Sequence, residues 1–400
     1  MSVYCCFFGI LQAGPGPAQV NIYAWYEFIP KEILQKFEQE TGIKVHIDYY
    51  DSNQTLETNL LTRTTGYDVV FPSAFPYMER QVKNGLYQKL DKNKLPNLKY
   101  LDPDILKFLE SADPGHNFTL PYFWGITGIA YNIEQVQQIM PQAPVDSWAM
   151  LFDPKVVQRF APHGVYLLDE TIEVFASTLT YLKLSPVSKN ASDWQAAFKA
   201  LQKIRPYIRR FDSLRGHQDL VNGEVALIQS WSGDIALARQ YARAAGRKIQ
   251  IAFSVPKEGS SISIEVMAIP KNAPNLDNAH TFINFLMRPD IIAIATNELG
   301  YSNANLASLP FLNEELRNDP LIVPDKQVLK RLYVSTFVSR AQEQQTNRMM
   351  MRLKANLKAY TEVKSKPLFP DTLGVLIYPS KLRDSRYHKT RGFDFTRAYK

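Results

Sequence analysis

Apolar residues open the folded part of the chain in the order strand, helix, strand. Residues 20–25 (VNIYAW) have strand composition, and residues 30–42 place apolar side chains on one helical face between a proline and a glycine. Apolar positions then alternate through residues 45–49, as in a strand with one buried face. A second unit begins with the apolar run 67–71 and its exit loop 72–74.

The middle of the chain repeats this order. Apolar residues recur at helical spacing from Trp194 to Ile204, which predicts a helix with a buried face. Strands that alternate with helices predict an α/β fold with a mostly parallel sheet, covered on both faces. The further predicted strands are 128–132, 165–169, 225–229, 251–256 and 264–270.

Length and composition indicate the number of domains and the class of protein. The 400 residues are too many for one simple core and predict two α/β lobes joined by extended crossings. Hydrophobic residues make up 45% of the chain, and no run reaches the roughly 18 apolar residues of a membrane span. This composition argues against a disordered chain and against a spanning helix.

The N-terminal end differs from the body of the chain. Both cysteines, Cys5 and Cys6, lie in an apolar opening whose residues 4–11 have the character of a signal-peptide core without the basic leader. We expect residues 1–18 to be a truncated signal peptide; an unprocessed apolar end and a lipoprotein anchor are the alternatives. The remaining chain contains no cysteine and needs no disulfide.

The formal charge of +7 is concentrated at the C-terminal end. Residues 367–400 hold seven Lys or Arg against three Asp and so carry four of the seven net charges. Because the body is close to neutral, a nucleic-acid partner is disfavoured. We expect a disordered basic extension there; a segment that contacts anionic lipid or acidic partners is the alternative.

Rings, hydroxyls and carboxylates follow several of the predicted strands. Open parallel sheets bind ligands beyond the carboxyl ends of their strands, so these exit segments are candidate ligand contacts. They are residues 25–27 (WYE), 73–75 (SAF), 169–173 (DETIE) and 231–234 (WSGD).

This chemistry indicates a cationic organic ligand. The six histidines show no metal-ligand spacing, and no phosphate-binding glycine loop, zincin motif or nucleophile elbow is present. Aromatic faces attract ammonium groups and pack methylenes, while carboxylates accept ammonium hydrogen bonds. A linear diamine or polyamine has these features. Residues 48–51 (DYYD) would suit ferric iron, which is disfavoured because Tyr49 continues the apolar alternation of its strand.

Motifs in a fixed order over residues 20–366 resemble the polyamine-binding proteins of bacterial ABC importers, most closely the putrescine- and spermidine-binding receptors. Their order and spacing carry the resemblance more than any single motif. The motifs are IYAW (22–25), EQETGIKV (38–45), YDVVFPS (67–73), TGIAYN (127–132), PVDSW (144–148), WSGD (231–234), VPKEG (255–259) and YSNAN (301–305).

The resemblance implies a two-lobed periplasmic binding protein of type II, a venus flytrap in which each lobe is a mostly parallel sheet flanked by helices. Such a protein closes on its ligand and presents both lobes to the membrane permease of an ABC importer. We therefore expect a periplasmic receptor, monomeric, not an enzyme, with no cofactor and no metal. The implied lobes are 19–127 with 267–315, and 128–266 with 316–366.

The resemblance also implies nine ligand-binding residues, which are walls, hydroxyls or acids of the pocket. They are Trp25 (aromatic wall), Tyr26, Glu27 (the acid two residues after the wall), Ser73 (loop hydroxyl), Glu173 (second-lobe acid), Trp231 (second ring), Asp234 (central carboxylate), Glu265 (where the family has an aspartate) and Tyr301 (where it has a tyrosine).

Three positions depart from the family pattern. Ser263 stands where the family often has a bulky aromatic, which would open one side of the box. Tyr26 replaces a small residue and would either refill that gap or occlude the pocket. Glu265 reaches one methylene further than the family's aspartate. These departures leave the identity of the ligand open.

Other interpretations accompany these expectations. Asp234 precedes a helical pattern and would serve as an N-cap. Trp25 and Trp231 would be core residues, and Glu173 an acid that favours a helix's first turn. At the level of function, the alternatives are a receptor for another organic cation or amino-acid-like solute, a sensor docked on a membrane signalling protein, and an enzyme on the same scaffold.

Overall fold

A computed structural model describes residues 18–62, 66–337 and 339–355, and the strands of these ranges join in one eleven-stranded sheet. The predicted leader, apart from Ala18, and the basic extension 367–400 lie outside the described residues. The strands are β1 (Gln19–Trp25), β2 (Lys44–Tyr50), β3 (Val69–Val70), β4 (Thr119–Asn132), β5 (Val165–Leu167), β6 (Arg210–Phe211), β7 (Leu227–Trp231), β8 (Ile251–Ser254), β9 (Ser260–Ala268), β10 (Ser302–Asn303) and β11 (Leu332–Val334).

The sheet has the order β2-β1-β3-β9-β4-β7-β5-β6, with β8 and β10 paired to β4 and β11 paired to β9. Pairing is parallel between β1 and its neighbours and between β5 and its neighbours. The pairs that β4 makes with β7, β8, β9 and β10 are antiparallel. The predicted α/β class is confirmed, and the strands around β4 add antiparallel pairs that the apolar pattern did not reveal.

The long strand β4 connects the two halves of the sheet. Its residues 119–126 pair with β9, and its residues 127–132 pair with β7 or β8. Nearly all of β4 is buried, as its continuous apolar run requires. Gly128 is required here, because a Cβ would lie 2.4 Å from the Phe253 ring and 2.6 Å from the Ser254 carbonyl oxygen of β8.

The first helix begins and ends at its predicted signals. Pro30 precedes α1, and Gly42 ends it with a left-handed φ of 70°, its N–H donating to the Glu38 carbonyl. None of the described helices has the length and apolar character of a membrane span. The α-helices are α1 (Lys31–Thr41), α2 (Asn53–Leu61), α3 (Glu79–Lys83), α4 (Pro103–Leu109), α5 (Ile133–Ile139), α6 (Ala149–Phe152), α7 (Pro154–Phe160), α8 (Thr171–Tyr181), α9 (Ala191–Ile204), α10 (Gly216–Asn222), α11 (Ser232–Ala244), α12 (Leu276–Leu286), α13 (Pro289–Leu299), α14 (Glu314–Arg317), α15 (Lys326–Leu329) and α16 (Arg340–Ala355).

Hydrophobic side chains pack in separate cores on the two sides of the β4 crossing. The first core contains residues of β1, β3, α1, α12 and α13, together with the early part of β4 up to Ile126. From Ile129 onward, β4 packs into the cores that contain α7, α8, α9, α10, α11 and the end of α16. We call these two groups the first and second lobe; the lobe boundaries expected from the sequence stay a prediction.

Candidate functional site

Glu265 is a half-buried carboxylate on β9, a strand whose apolar residues pack in the first core. Its Oε1 accepts a hydrogen bond from the Ser73 hydroxyl at 2.7 Å, and its Oε2 accepts one from the Trp25 indole N–H at 3.2 Å. Burial raises the pKa of the Glu265 carboxyl to about 7, although both hydrogen bonds favour the charged form. Trp25 and Ser73, both far from Glu265 in the chain, thus meet at this acid.

Asn53 and Tyr50 contact Ser73 and Trp25 of this cluster. The sequence did not indicate either residue as part of the site. The Asn53 amide donates to the Ser73 hydroxyl at 2.8 Å, and the Ser73 N–H donates to the Asn53 carbonyl at 3.0 Å. The buried Tyr50 ring lies 4.7 Å from the Trp25 ring, and its hydroxyl donates to the Phe71 carbonyl. The indole and the hydroxyl are therefore fixed in position before any ligand binds.

The neighbouring tyrosine corrects one expectation. Tyr49 is 45% exposed, so the apolar alternation used to disfavour an iron site does not hold at that residue. In the described part of the chain, no group of three or more His, Cys, Asp or Glu side chains is arranged to hold a metal ion.

Asp234 lies in the first turn of α11 in the second lobe. The helix begins at Ser232 and not at Ile235, so Trp231 occupies the N-cap position and the N-cap interpretation of Asp234 is wrong. The Asp234 Oδ1 accepts a hydrogen bond from the Tyr301 hydroxyl at 2.6 Å. Burial raises the pKa of Asp234, opposed by the nearby His217 and by this hydrogen bond.

Tyr301 donates a hydrogen bond to Asp234 and lies close enough to Glu265 for the Glu265 charge to affect its pKa. Burial, and then the charges of Asp234 and Glu265, raise the pKa of its hydroxyl, which stays protonated and donates. Its ring lies 5.7 Å from the Phe123 ring of β4 and packs against the first core. Acids from the two lobes are therefore near one phenol.

A glycine in α11 permits this approach. A Cβ on Gly233 would lie 2.1 Å from Cδ1 of the Tyr301 ring. We expect Gly233→Ala to destabilise the fold by about 1–3 kcal/mol, because the ring must shift in a filled site. Chemical denaturation measures this loss. Gly216→Ala, whose Cβ would meet its nearest neighbours at 3.6 Å, is the matched control, and equal losses in both variants would contradict the close approach.

Glu173 lies in the first turn of α8 and points at the strands that cross between the lobes. Its Oε2 accepts hydrogen bonds from the Thr127 hydroxyl of β4 at 2.7 Å and from the Ser261 hydroxyl of β9. Burial raises the pKa of Glu173, opposed by these two hydrogen bonds. Its Oε1 receives no hydrogen bond from a described residue and keeps contact with solvent.

Glu170, three residues earlier, is a further acid that the predicted site did not include. Its side chain reaches solvent, yet the surrounding protein desolvates it, and with the Glu173 and Asp169 charges raises its pKa to about 7. Burial and the Glu170 charge in turn raise the pKa of Tyr77, on the first lobe, to about 12. Glu170 lies in the strand-exit segment 169–173, and this position was the signal that could have identified it as part of the site.

The remaining predicted residues, Trp231, Tyr26 and Glu27, differ in their exposure to solvent. Trp231 ends β7, pairs with Thr127 and packs its ring partly against the second core. Tyr26 is 71% exposed and contacts the Tyr49 ring edge-on at 5.5 Å. Glu27 is exposed and has a positive φ of 54°. The structure therefore brings Trp25, Ser73, Glu265, Tyr301 and Asp234 together, and places Tyr26 and Glu27 on an exposed turn.

No Lys or Arg of the described residues forms an ion pair with three acids whose pKa burial raises. Asp234, Glu173 and Glu265 take part in none of the ion pairs between described residues. Burying a carboxylate without a counter-charge costs several kcal/mol, or protonates it. The site is therefore suited to a ligand that supplies positive charge.

An ion pair also links the two lobes. Arg80 of α3 donates to both oxygens of Glu57 at 2.6 Å and to Glu343 of α16 at 3.4 Å. Next to it, the Thr336 hydroxyl donates to Glu79 at 3.2 Å. Because α16 packs on α8 and α9, Arg80 connects the first lobe to the second.

The fold and site define a class of protein. Residues 32–324 match the model of the family described as bacterial extracellular solute-binding protein, and the chain belongs to that family. The sequence-based resemblance is thus confirmed, as is the expected role as a solute-binding protein outside the cytoplasm.

Particular relatives narrow the comparison. The chain is 42% identical over 326 residues to the putrescine-binding periplasmic protein SpuD of Pseudomonas aeruginosa, covering 81% of this chain and 88% of that one. It is 40% identical over 348 residues to the putrescine-binding periplasmic protein PotF of Escherichia coli, covering 86% and 91%. The crystal structure of the spermidine/putrescine ABC transporter substrate-binding protein PotD from Streptococcus pneumoniae has a TM-score of 0.74 at 28% identity, covering 84% and 99%. All three names describe binding proteins, in agreement with the expected solute-binding role.

Proposed function

We propose that this protein is a monomeric periplasmic receptor that captures a linear polyamine of the putrescine or spermidine class and delivers it to the permease of an ABC importer. The observation that carries the proposal is the set of enclosed acids, Asp234, Glu173 and Glu265, without a protein cation beside two tryptophan rings. Relatives named as putrescine- and spermidine-binding proteins support the same ligand class.

The chemistry of the ligand follows from that of the site. Trp25 and Trp231 pack the methylenes, while Asp234, Glu173 and Glu265 accept hydrogen bonds from the ammonium groups. Burying four methylenes contributes about 3 kcal/mol, and each charge-assisted hydrogen bond about 1.5–3 kcal/mol. Together these contributions are sufficient for micromolar or tighter binding after ordering costs.

The remaining predicted contacts have different roles in this proposal. Ser73 and Tyr301 orient Glu265 and Asp234, and Tyr26 and Glu27 contact the part of the ligand that enters last. Glu170 adds a further acid for a longer polyamine. The proposed lobe boundaries are residues 19–127 with 267–315 and 128–266 with 316–366, although the apolar residues of β9 before 267 pack in the first core. The lobes close around the ligand at the strands that connect them.

If the lobes close around the ligand, the ion pair between Arg80 and Glu343 should slow the dissociation of the ligand. We expect Glu343→Gln to weaken polyamine binding two- to fivefold, chiefly through faster dissociation, because a partly exposed pair contributes about 0.2–1 kcal/mol. Stopped-flow release of the ligand at low and high salt measures it, and the difference from wild type shrinks at high salt. Glu40→Gln, whose acid pairs with Arg288 inside the first lobe, is the control. Equal dissociation rates in the wild-type and Glu343→Gln proteins at low salt would contradict this linkage.

Two experiments test the function. Mass spectrometry of the small molecules released from the purified, denatured protein identifies the ligand, and a diamine or polyamine is expected. Uptake of radiolabelled putrescine and spermidine by a deletion strain is expected to fall. An amino acid or another cation as ligand would overturn the assigned class, and unchanged uptake would indicate a sensor instead of an importer subunit.

A further inference from the structure

The Glu173 carboxylate has an asymmetric environment. Two hydroxyls, from Thr127 on β4 and Ser261 on β9, both donate to Oε2. The backbone of Glu173 is held as well, since its carbonyl accepts from the Ser177 hydroxyl at 2.7 Å. One oxygen is therefore anchored to both crossing strands, and the other is left for a different donor.

The anchoring hydroxyls occupy buried positions on the strands that connect the lobes. Ser261 and Thr127 are fully buried, and the adjacent Ser260 hydroxyl donates to the Thr127 backbone carbonyl. Neighbouring serines of β9 thus make different contacts, one with the acid of α8 and one with the backbone of β4. Ser261 is part of no motif that carried the family resemblance.

We propose that Ser261 and Thr127 are positioning residues, which fix Glu173 by one oxygen, present the other to an ammonium group of the ligand, and so connect ligand capture to the crossing strands. This inference rests on the proposed function for its ligand. It adds a role for β9 beyond that of Glu265, because the same strand carries one acid of the site and orients another.

Other charged and titratable groups lie near Glu173 and interact with its carboxylate. Glu170, at the start of α8, and Tyr333 of β11 lie close enough to interact with its charge, and Lys354 of α16 faces Glu170. None of these groups is altered by a change at Ser261. A hydroxyl donor favours the charged carboxylate, so its removal raises the pKa of Glu173 further.

The test compares Ser261→Ala with Ser260→Ala, a buried neighbour whose hydroxyl does not contact the acid. Affinity for putrescine and spermidine is measured from pH 5.5 to 9. An ammonium group of the ligand binds the ionised form of Glu173, so binding weakens as the pH falls through the pKa of Glu173. Because this pKa is higher in Ser261→Ala, the loss of binding occurs at a higher pH in that variant. We expect at least a tenfold loss at pH 6 and a smaller one at pH 9. Ser260→Ala is expected to keep the wild-type pH profile.

A second measurement keeps this inference separate from the proposed function. Carbon NMR of labelled glutamate follows the titration of Glu173 in the ligand-free protein, with Glu173→Gln to assign the signal. The midpoint is expected to rise in Ser261→Ala and in Thr127→Val, and to stay near wild type in Thr127→Ser. Unchanged midpoints would overturn the positioning role. Shifted midpoints in a protein that binds no polyamine would overturn only the ligand.

Discussion

Replacing Asp234 by Asn lowers the affinity for putrescine and spermidine at least tenfold, which is about 1.4 kcal/mol, without unfolding the protein. The amide oxygen still accepts the Tyr301 hydrogen bond, so the change removes charge and little else. Removing one partner of a buried, hydrogen-bonded charge pair often costs 2–5 kcal/mol. Calorimetric titration at pH 8 measures the loss.

A matched variant separates the local charge from the net charge. Asp277→Asn removes the same charge from an acid that is 82% exposed and paired with Lys94, and is expected to bind like wild type. Equal affinities in the Asp234→Asn, Asp277→Asn and wild-type proteins would contradict the assignment of Asp234.

Glu265→Gln produces the second large effect, a loss of at least tenfold in affinity together with a weaker dependence on pH. An amide replaces one of the two accepting oxygens by a donor NH2, so one of the hydrogen bonds from Ser73 and Trp25 is lost, while the indole keeps its 3.0 Å hydrogen bond to the Phe71 carbonyl. Glu265→Asp keeps the charge and restores the acid typical of the family, and is expected to bind more tightly than the Gln variant. Calorimetric titration of the wild-type, Glu265→Asp and Glu265→Gln proteins at pH 8 tests this order of affinities. Equal affinities of the Glu265→Gln and wild-type proteins would contradict it.

The pH dependence follows from the raised pKa of Glu265. Because this pKa is about 7 in the ligand-free protein, the acid is mostly protonated below pH 7 and must release a proton to pair with a cation. Affinity therefore rises from pH 6 to pH 8 and is lost as pH falls through 7. Calorimetry in two buffers with different ionisation enthalpies detects the released proton. Glu265→Gln releases less, and the other acids with raised pKa values, Glu170, Glu173 and Asp234, contribute the remainder.

Part of this site was predictable from local sequence. Trp25, Ser73 and Trp231 follow or end predicted strands, and strand ends of an open α/β sheet meet at its binding edge. Glu265 is different, because it lies inside β9 and follows no strand end. Only the order of motifs along the chain included it among the predicted ligand contacts.

Other contacts of the site could not be predicted from local sequence, because they join residues that are far apart in the chain. Ser261 and Thr127 meet Glu173 across separations of 88 and 46 residues, and no periodic pattern records such contacts. The start of α11 was placed three residues late, since Ser232 and Gly233 resemble a turn. Packing against Tyr301 requires the glycine inside the helix.

Calorimetric titration of the ligand-free protein with putrescine, cadaverine, spermidine and spermine tests the central claim most directly. The account predicts micromolar or tighter binding of at least one of them, with proton release near pH 7. It also predicts no binding of 1,4-butanediol, which has the methylenes of putrescine without its charges. Absence of binding to all four amines by a folded, ligand-free protein would contradict the account.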